Sequence, residues 1–237
     1  MLAGVGVTWY TWLEQGRPIN ASVQVLESIA TTLRMDAQER WHLFELAGVT
    51  LVPPPREGAQ PDMQVQGILD QLDPFPAVVL SNRYDILGYN RAYNQLGGNL
   101  DALEPGERNQ LWLFFTSQHW KGMCLRRDQA AGHLVGAMRM AMTQHLDDPL
   151  WQSLVTRLRE ASTEFDTIWR RHDVIDSAMP AKDFRSVVGD LHLEATRMTI
   201  GHDGLSRLLV YSPRDAETAT RLSQLVALDE VSRLQAG

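Results

Sequence analysis

The chain has one cysteine, Cys124, in 237 residues. A disulfide within the chain is therefore impossible, and a cysteine-rich zinc site is excluded. A reducing, cytoplasmic setting fits this usage. Positive charge is also short: 22 Lys and Arg stand against 29 Asp and Glu, a formal net charge of −7. Such a balance argues against strong sequence-independent affinity for nucleic acid, though a local basic face stays open. No apolar run reaches the roughly 18 residues of a membrane helix. The most apolar helical stretch, "GHLVGAMRMAM", is broken by Arg139. The N-terminus has neither the positive nor the apolar region of a secretion signal, so no membrane partner is expected. No internal repeat is present. Neither a P-loop, a G-x-G-x-x-G turn, an H-E-x-x-H helix nor a G-x-S-x-G elbow occurs. The seven histidines show no two-ligand spacing, so no metal is expected. "LHLE" and "GHDG" place His beside carboxylates, a pairing common by chance.

What is present is an ordinary globular composition, 44% hydrophobic and 22% charged, enough for a real core. Gly6–Gln15 reads as a short helix with Thr8 as a cap. "PINASVQVLESIATTLR" supplies a second, with Val23, Leu26, Ile29 and Ala30 on one face. "MDAQERWHLFELAG" supplies a third. There Asp36 and Glu39 have capping-box spacing, and Gly48 is a helix stop. The stretch "VTLVPPPREGAQPD" cannot continue a helix and reads as a semi-rigid spacer. The expected boundaries are residues 1–48, a linker at 49–61, and a second domain at 62–237.

The second domain opens on a helix, with Val65, Ile68, Leu69 and Leu72 at i, i+3, i+4 and i+7. Val78 to Leu80 and Ile86 to Tyr89 read as a hairpin turning at Asn82-Arg83. Asn90 caps a helix that runs through Leu96 and is stopped by two glycines. A helical middle extends from about Asn109 to His172. Leu134, Ala137, Met138 and Ala141 share one face in it, and Leu150, Trp151, Leu154, Val155 and Leu158 another. Pro149 marks a helix start. Strands return at Phe184–Val188, Leu191–Met198 and Arg207–Tyr211, with a tight turn at Gly189-Asp190. A last helix spans about Pro213 to Leu234. The class is α+β: a small all-α N-terminal part, then an antiparallel sheet with several helices.

"LAGVGVTWYTWLEQGR" resembles the second half of an Xre-type helix-turn-helix, with "VTWYTWLEQGR" as recognition helix. Further on, "VVLSNRYDILGYNRA", Arg108-Asn109, "DDPLW", "EFDTIWRRHDV", "VVGDLHLE" and "RLLVYS" occur in that order. As an ordered set they resemble MmyB-like bacterial transcription regulators. The resemblance implies a PAS-like sensor with an internal pocket for a fatty-acid-like molecule, behind a DNA-binding domain that reads double-stranded DNA as a homodimer. It also implies that Met1 falls inside the positioning helix, so the helix-turn-helix is truncated and a functional start upstream is expected. Ala195 stands where the family tends to place an aromatic, which would enlarge the cavity. An alternative is a stand-alone ligand-sensing or protein-interaction module that does not bind DNA. Haem or flavin is a further alternative for a PAS-like pocket, but no axial ligand is evident and no cofactor is expected.

The DNA-reading candidates are Thr8, Trp9, Tyr10, Thr11 and Gln15, with Arg17 for a phosphate. Against this stands a core role for Trp9 and for Trp12. The candidates for an apolar ligand pocket are Tyr89, Trp112, Phe115, Met138 and Met142, with Phe165 and Trp169. The competing reading is plain core. Asn90, Arg139 and His172 are the polar candidates, because a carboxylate head would want a cation. Their structural alternatives are a helix cap for Asn90 and a hydrogen bond at a helix-strand junction for His172-Asp173.

Overall fold

A computed structural model of the chain describes residues 21–47, 63–143, 148–171, 181–200 and 206–236, together with Thr11, Gln15 and His145. The linker, the Gly48 stop and most of the first helix lie outside the described residues. The chain divides into two compact units, Met1–Pro55 and Arg56–Gly237.

In the first unit, α1 (Val23–Thr32) packs on α2 (Ala37–Leu46). Leu26, Ile29, Ala30 and Phe44 are buried, whereas Val23, expected on the same face, is exposed. The capping box forms as the spacing requires. The Asp36 amide donates to Glu39 Oε2 at 3.0 Å, and the Glu39 amide donates to Asp36 Oδ1 at 2.8 Å. Two of the orphan amides of the helix start are thereby satisfied. Arg40 and Glu27 tie the two helices by an ion pair.

The second unit begins with α3 (Met63–Gln71), followed by β1 (Ala77–Ser81) and β2 (Ile86–Tyr89). Then come α4 (Arg91–Gly97), α5 (Gln110–Thr116), α6 (Gln118–Met123), α7 (Arg127–Met142), α8 (Pro149–Ala161) and α9 (Thr163–Arg171). The chain returns through β3 (Lys182–Ser186), β4 (Gly189–Ile200) and β5 (Ser206–Pro213) and ends on α10 (Ala216–Ala236). The strands form one antiparallel sheet in the order β2-β1-β5-β4-β3. The described fold is thus α+β, with a PAS-like antiparallel sheet and several helices.

Local chemistry sets the ends of these elements. The Asn90 side chain accepts from the Tyr93 amide, and Gly98, with φ of 83°, ends α4 in the left-handed region. Asn109 accepts from the amides of Leu111 and Trp112 to start α5. Asp148 accepts from Leu150, and Pro149 sits where its missing N–H costs nothing. The turn between β3 and β4 differs from the expected Gly189-Asp190. Ser186 pairs with Gly189, so Val187-Val188 forms the turn. Gly189 has φ of 110° and follows it as the first residue of β4, a conformation that favours glycine. Pro213 pairs with Leu193 and closes β5 instead of opening the last helix.

The sheet is buried on both faces where β1 and β5 lie side by side. Val78, Leu80, Leu209 and Tyr211 face the helical core, while Ala77, Val79, Leu208 and Val210 face Leu69 of α3. This is why "AVVL" reads as an unbroken apolar run instead of alternating. Ile68, expected on the apolar face of α3, is 56% exposed.

Candidate functional site

Between the helix-facing side of the sheet and α5, α6 and α7 lies a cavity of about 70 Å³. Each element meets it with its own period. α7 contributes Ala130, His133, Leu134 and Ala137, at i, i+3, i+4 and i+7 of one helical face. α5 contributes Gln110 and Phe114, and α6 contributes Trp120 and Met123. Alternation on the strands brings in Ala195 and Arg197 from β4, and Arg207, Leu209 and Tyr211 from β5. The register places Ala195 opposite Tyr211 and Arg197 opposite Leu209. Small side chains on both walls, Ala195 on the sheet and Ala130 and Ala137 on the helix, leave the space that larger ones would fill.

The walls are mostly apolar, but the charges in them are of one sign. Lys182, Arg197 and Arg207 line the cavity, and no Asp or Glu does. Arg207 lies over the Tyr84 ring, its guanidinium carbon 3.9 Å from the centroid. Its Nε and Nη2 are buried without a hydrogen-bond partner. Burial pulls the Arg207 guanidinium below its ordinary value, and the positive charge of Arg197 pulls the same way. Burial likewise lowers the Lys182 ammonium. Tyr211 is pushed up to about 12, mainly by burial, so its phenol stays neutral. Burial pushes the Cys124 thiol up as well, and a protonated thiol is a weak nucleophile. Among the described residues, no group of three His, Cys, Asp or Glu side chains could hold a metal ion. The lining thus combines a mostly apolar surface with charged side chains of one sign.

Residues 61–225 match the family model of the MmyB-like transcription regulator ligand-binding domain. The chain belongs to the MmyB-like transcription regulators. The match covers the whole sheet, the helices that wall the cavity, and the first half of α10. No curated protein matches the chain. Membership gives the domain a ligand-sensing role in transcription regulation. Among the described residues no helix is long and apolar enough to cross a membrane.

The MmyB-like domain puts most of the sequence-derived pocket candidates elsewhere. None of the nine described ones lines the cavity. Phe115, Met138 and Phe165 are wholly buried core residues. Phe115 meets Phe165 edge-to-face at 5.1 Å, and Phe165 stacks on Trp169 at 5.6 Å. Met142 packs at the edge of the same cluster. Trp112 is covered by the guanidinium of Arg157 at 4.5 Å. Arg139 donates to the Trp169 carbonyl at 2.6 Å and lies 4.8 Å over its ring. Tyr89 donates to Asp101 at 2.7 Å, and its phenol is pushed up to about 12 by burial and then by that carboxylate. Asn90 is the α4 cap and also bonds the Ala77 amide and the Phe75 carbonyl. His172 lies outside the described residues. So do Thr8, Trp9, Tyr10 and Arg17. Of the DNA-reading candidates, Thr11 and Gln15 are described: both are exposed, and the Gln15 amide donates to the Thr11 carbonyl.

Some of the cavity residues carried a signal in the sequence. Ala195 stood out as a small residue on a strand, and Leu134 and Ala137 as part of an apolar helix face. Lys182, Arg197 and Arg207 carried none. On a strand in isolation, an Arg between polar and apolar neighbours reads as a solvent-facing residue.

Proposed function

We propose that the chain is a DNA-binding transcription regulator whose PAS-like domain senses a fatty-acid-like molecule, and that it acts as a homodimer. The observation that carries this reading is the cavity. It is mostly apolar, partly enclosed, cationic in its charged groups, and set within the matched ligand-binding domain. Its 70 Å³ is several-fold below the roughly 300–1,000 Å³ of pockets for drug-sized ligands. A long acyl chain therefore enters by displacing lining side chains, and Met123, Leu134 and Phe114 on the helical wall are those that can give way. That displacement links occupancy to helix position, and a ligand shifts an equilibrium only by its differential affinity for the two states. The helix-turn-helix resemblance of the N-terminal segment supports the DNA-reading half.

Thermal melts of delipidated full chain with fatty acids of increasing length test the sensing half. A ligand at 100 times its dissociation constant stabilises the fold by about 2.7 kcal/mol. A chain-length-dependent rise in melting temperature is expected. Flat melts, with no lipid in native mass spectra of the purified protein, would overturn it. Gel shifts at fixed salt test the other half, with duplexes from the region upstream of the protein's own coding sequence. Tyr10→Ala is expected to weaken specific binding by roughly 1–3 kcal/mol, as loss of a base contact does. Equal affinity for that region and a random duplex would refute DNA reading.

A further inference from the structure

We infer that Arg207 is the head-group partner in the cavity, and that the ligand is an organic carboxylate seated on its Nε–Nη2 edge with Arg197 beside it. This rests on reading the cavity as a ligand site. The two nitrogens without partners are Nε and Nη2. They lie on the same edge of the guanidinium and point their N–H bonds in parallel, the fork that matches the two oxygens of a carboxylate. A buried donor pair left unmade is costly, and a buried cation more so, unless an anion completes it. Among the described residues no carboxylate does: Arg207 takes part in no ion pair there, and neither do Arg197 and Lys182.

The sheet register explains how the site is assembled. Arg207 pairs with Thr199 and Leu209 with Arg197, so the two arginines are diagonal neighbours on the same face of β4 and β5. Tyr84 supplies a flat surface under the Arg207 guanidinium and fixes its plane. Next along the same face come Leu209, Ala195 and Tyr211. An acyl or aryl body attached to the carboxylate therefore lies against apolar surface. One fork suits a monoanion with two oxygens better than a phosphate with three.

The test is isothermal titration of the delipidated full chain with decanoate, decanol and monodecyl phosphate. Wild type is expected to bind decanoate most tightly of the three. Arg207→Gln should weaken decanoate roughly 10- to 100-fold, the weight of hydrogen bonds to a charged group. Arg207→Lys keeps the charge but not the fork and should fall between. Decanol affinity should change little in either. Unchanged decanoate affinity in Arg207→Gln, or tighter binding of monodecyl phosphate than of decanoate, would overturn the assignment while leaving ligand sensing intact. No binding of any of the three by wild type would overturn both. Should the Arg207 variants not fold, infrared spectra of carboxyl-labelled decanoate on the wild-type protein decide. An ionised carboxylate band, shifted from that in water, is expected, and the band of a protonated acid would overturn the ion pair.

Discussion

Asn90 and Ala195 show how a single position is spent. Asn90 is 1% exposed, and its amide satisfies three backbone groups in two segments. Asn90→Ala removes a helix cap and strands the Ala77 amide and Phe75 carbonyl in a dry site. A loss of about 2–4 kcal/mol is expected, measured by urea unfolding, with the ranking of decanoate over decanol unchanged. A ligand contact at Asn90 would move that ranking. Ala195 is the opposite case, valuable for what it leaves out. Ala195→Leu places three more carbons in the cavity between β4 and α7. It should keep or raise the unliganded stability, by about 0.5–2 kcal/mol for a filled cavity, and abolish the melting-temperature rise with decanoate. A variant that still responds fully would show that the ligand lies elsewhere.

At the scale of elements, Asp183 is the clearest fastener. It sits on β3, 4% exposed. It accepts from His192 of β4 at 2.9 Å, from Arg126 just before α7 at 2.5 Å, and from Arg214 just after β5 at 2.5 Å. Burial pushes its carboxyl up, but the hydrogen bonds from His192 and Arg126 and the charges of Arg214 and Arg126 outweigh that, and the net shift is downward from 3.8. A carboxyl lowered in the folded state adds stability that is complete above its unfolded value. That stability is lost as pH falls through the lower folded value. Asp183→Asn should therefore cost roughly 1–3 kcal/mol at pH 7, with the gap to wild type closing below about pH 4. Urea unfolding of both proteins at pH 7 and pH 3 measures it, and a gap independent of pH would refute the account. These elements were legible in the sequence to different degrees. The hairpin, the Asn90 cap and the Pro149 start were visible because each depends on neighbours within a few residues. The Val187-Val188 turn was not, because a β-branched pair reads as strand until the register with Ser186 and Gly189 is known.

The whole molecule carries a net charge of −7 yet gathers three cations around one cavity. A net negative charge favours neither DNA nor a fatty acid at long range, so the proposed ligand depends on attraction by the cations of the cavity itself. If sensing and DNA reading are coupled, the coupling is a single free energy seen from either site. Decanoate should then change affinity for the specific duplex by some factor, and that duplex should change decanoate affinity by the same factor. Paired titrations at fixed salt check this, and a factor of one in both directions would show that the two sites are not coupled.

The sequence by itself determined the class, the antiparallel strands, the helix caps and the family. All of these rest on short-range periodicity, on capping chemistry, or on motifs that keep their order along the chain. Phe115, Met138, Phe165 and Trp169 were legible as apolar mass, and the tertiary structure gathers them in one core cluster. It also decided the cavity. Arg207 becomes a half-buried cation with a buried guanidinium edge only because β5 lies between β1 and β4, which turns its alternating face toward α5, α6 and α7. Strand order and register join residues more than a hundred positions apart, from Tyr84 to Tyr211. No local pattern encodes which of them will share one space.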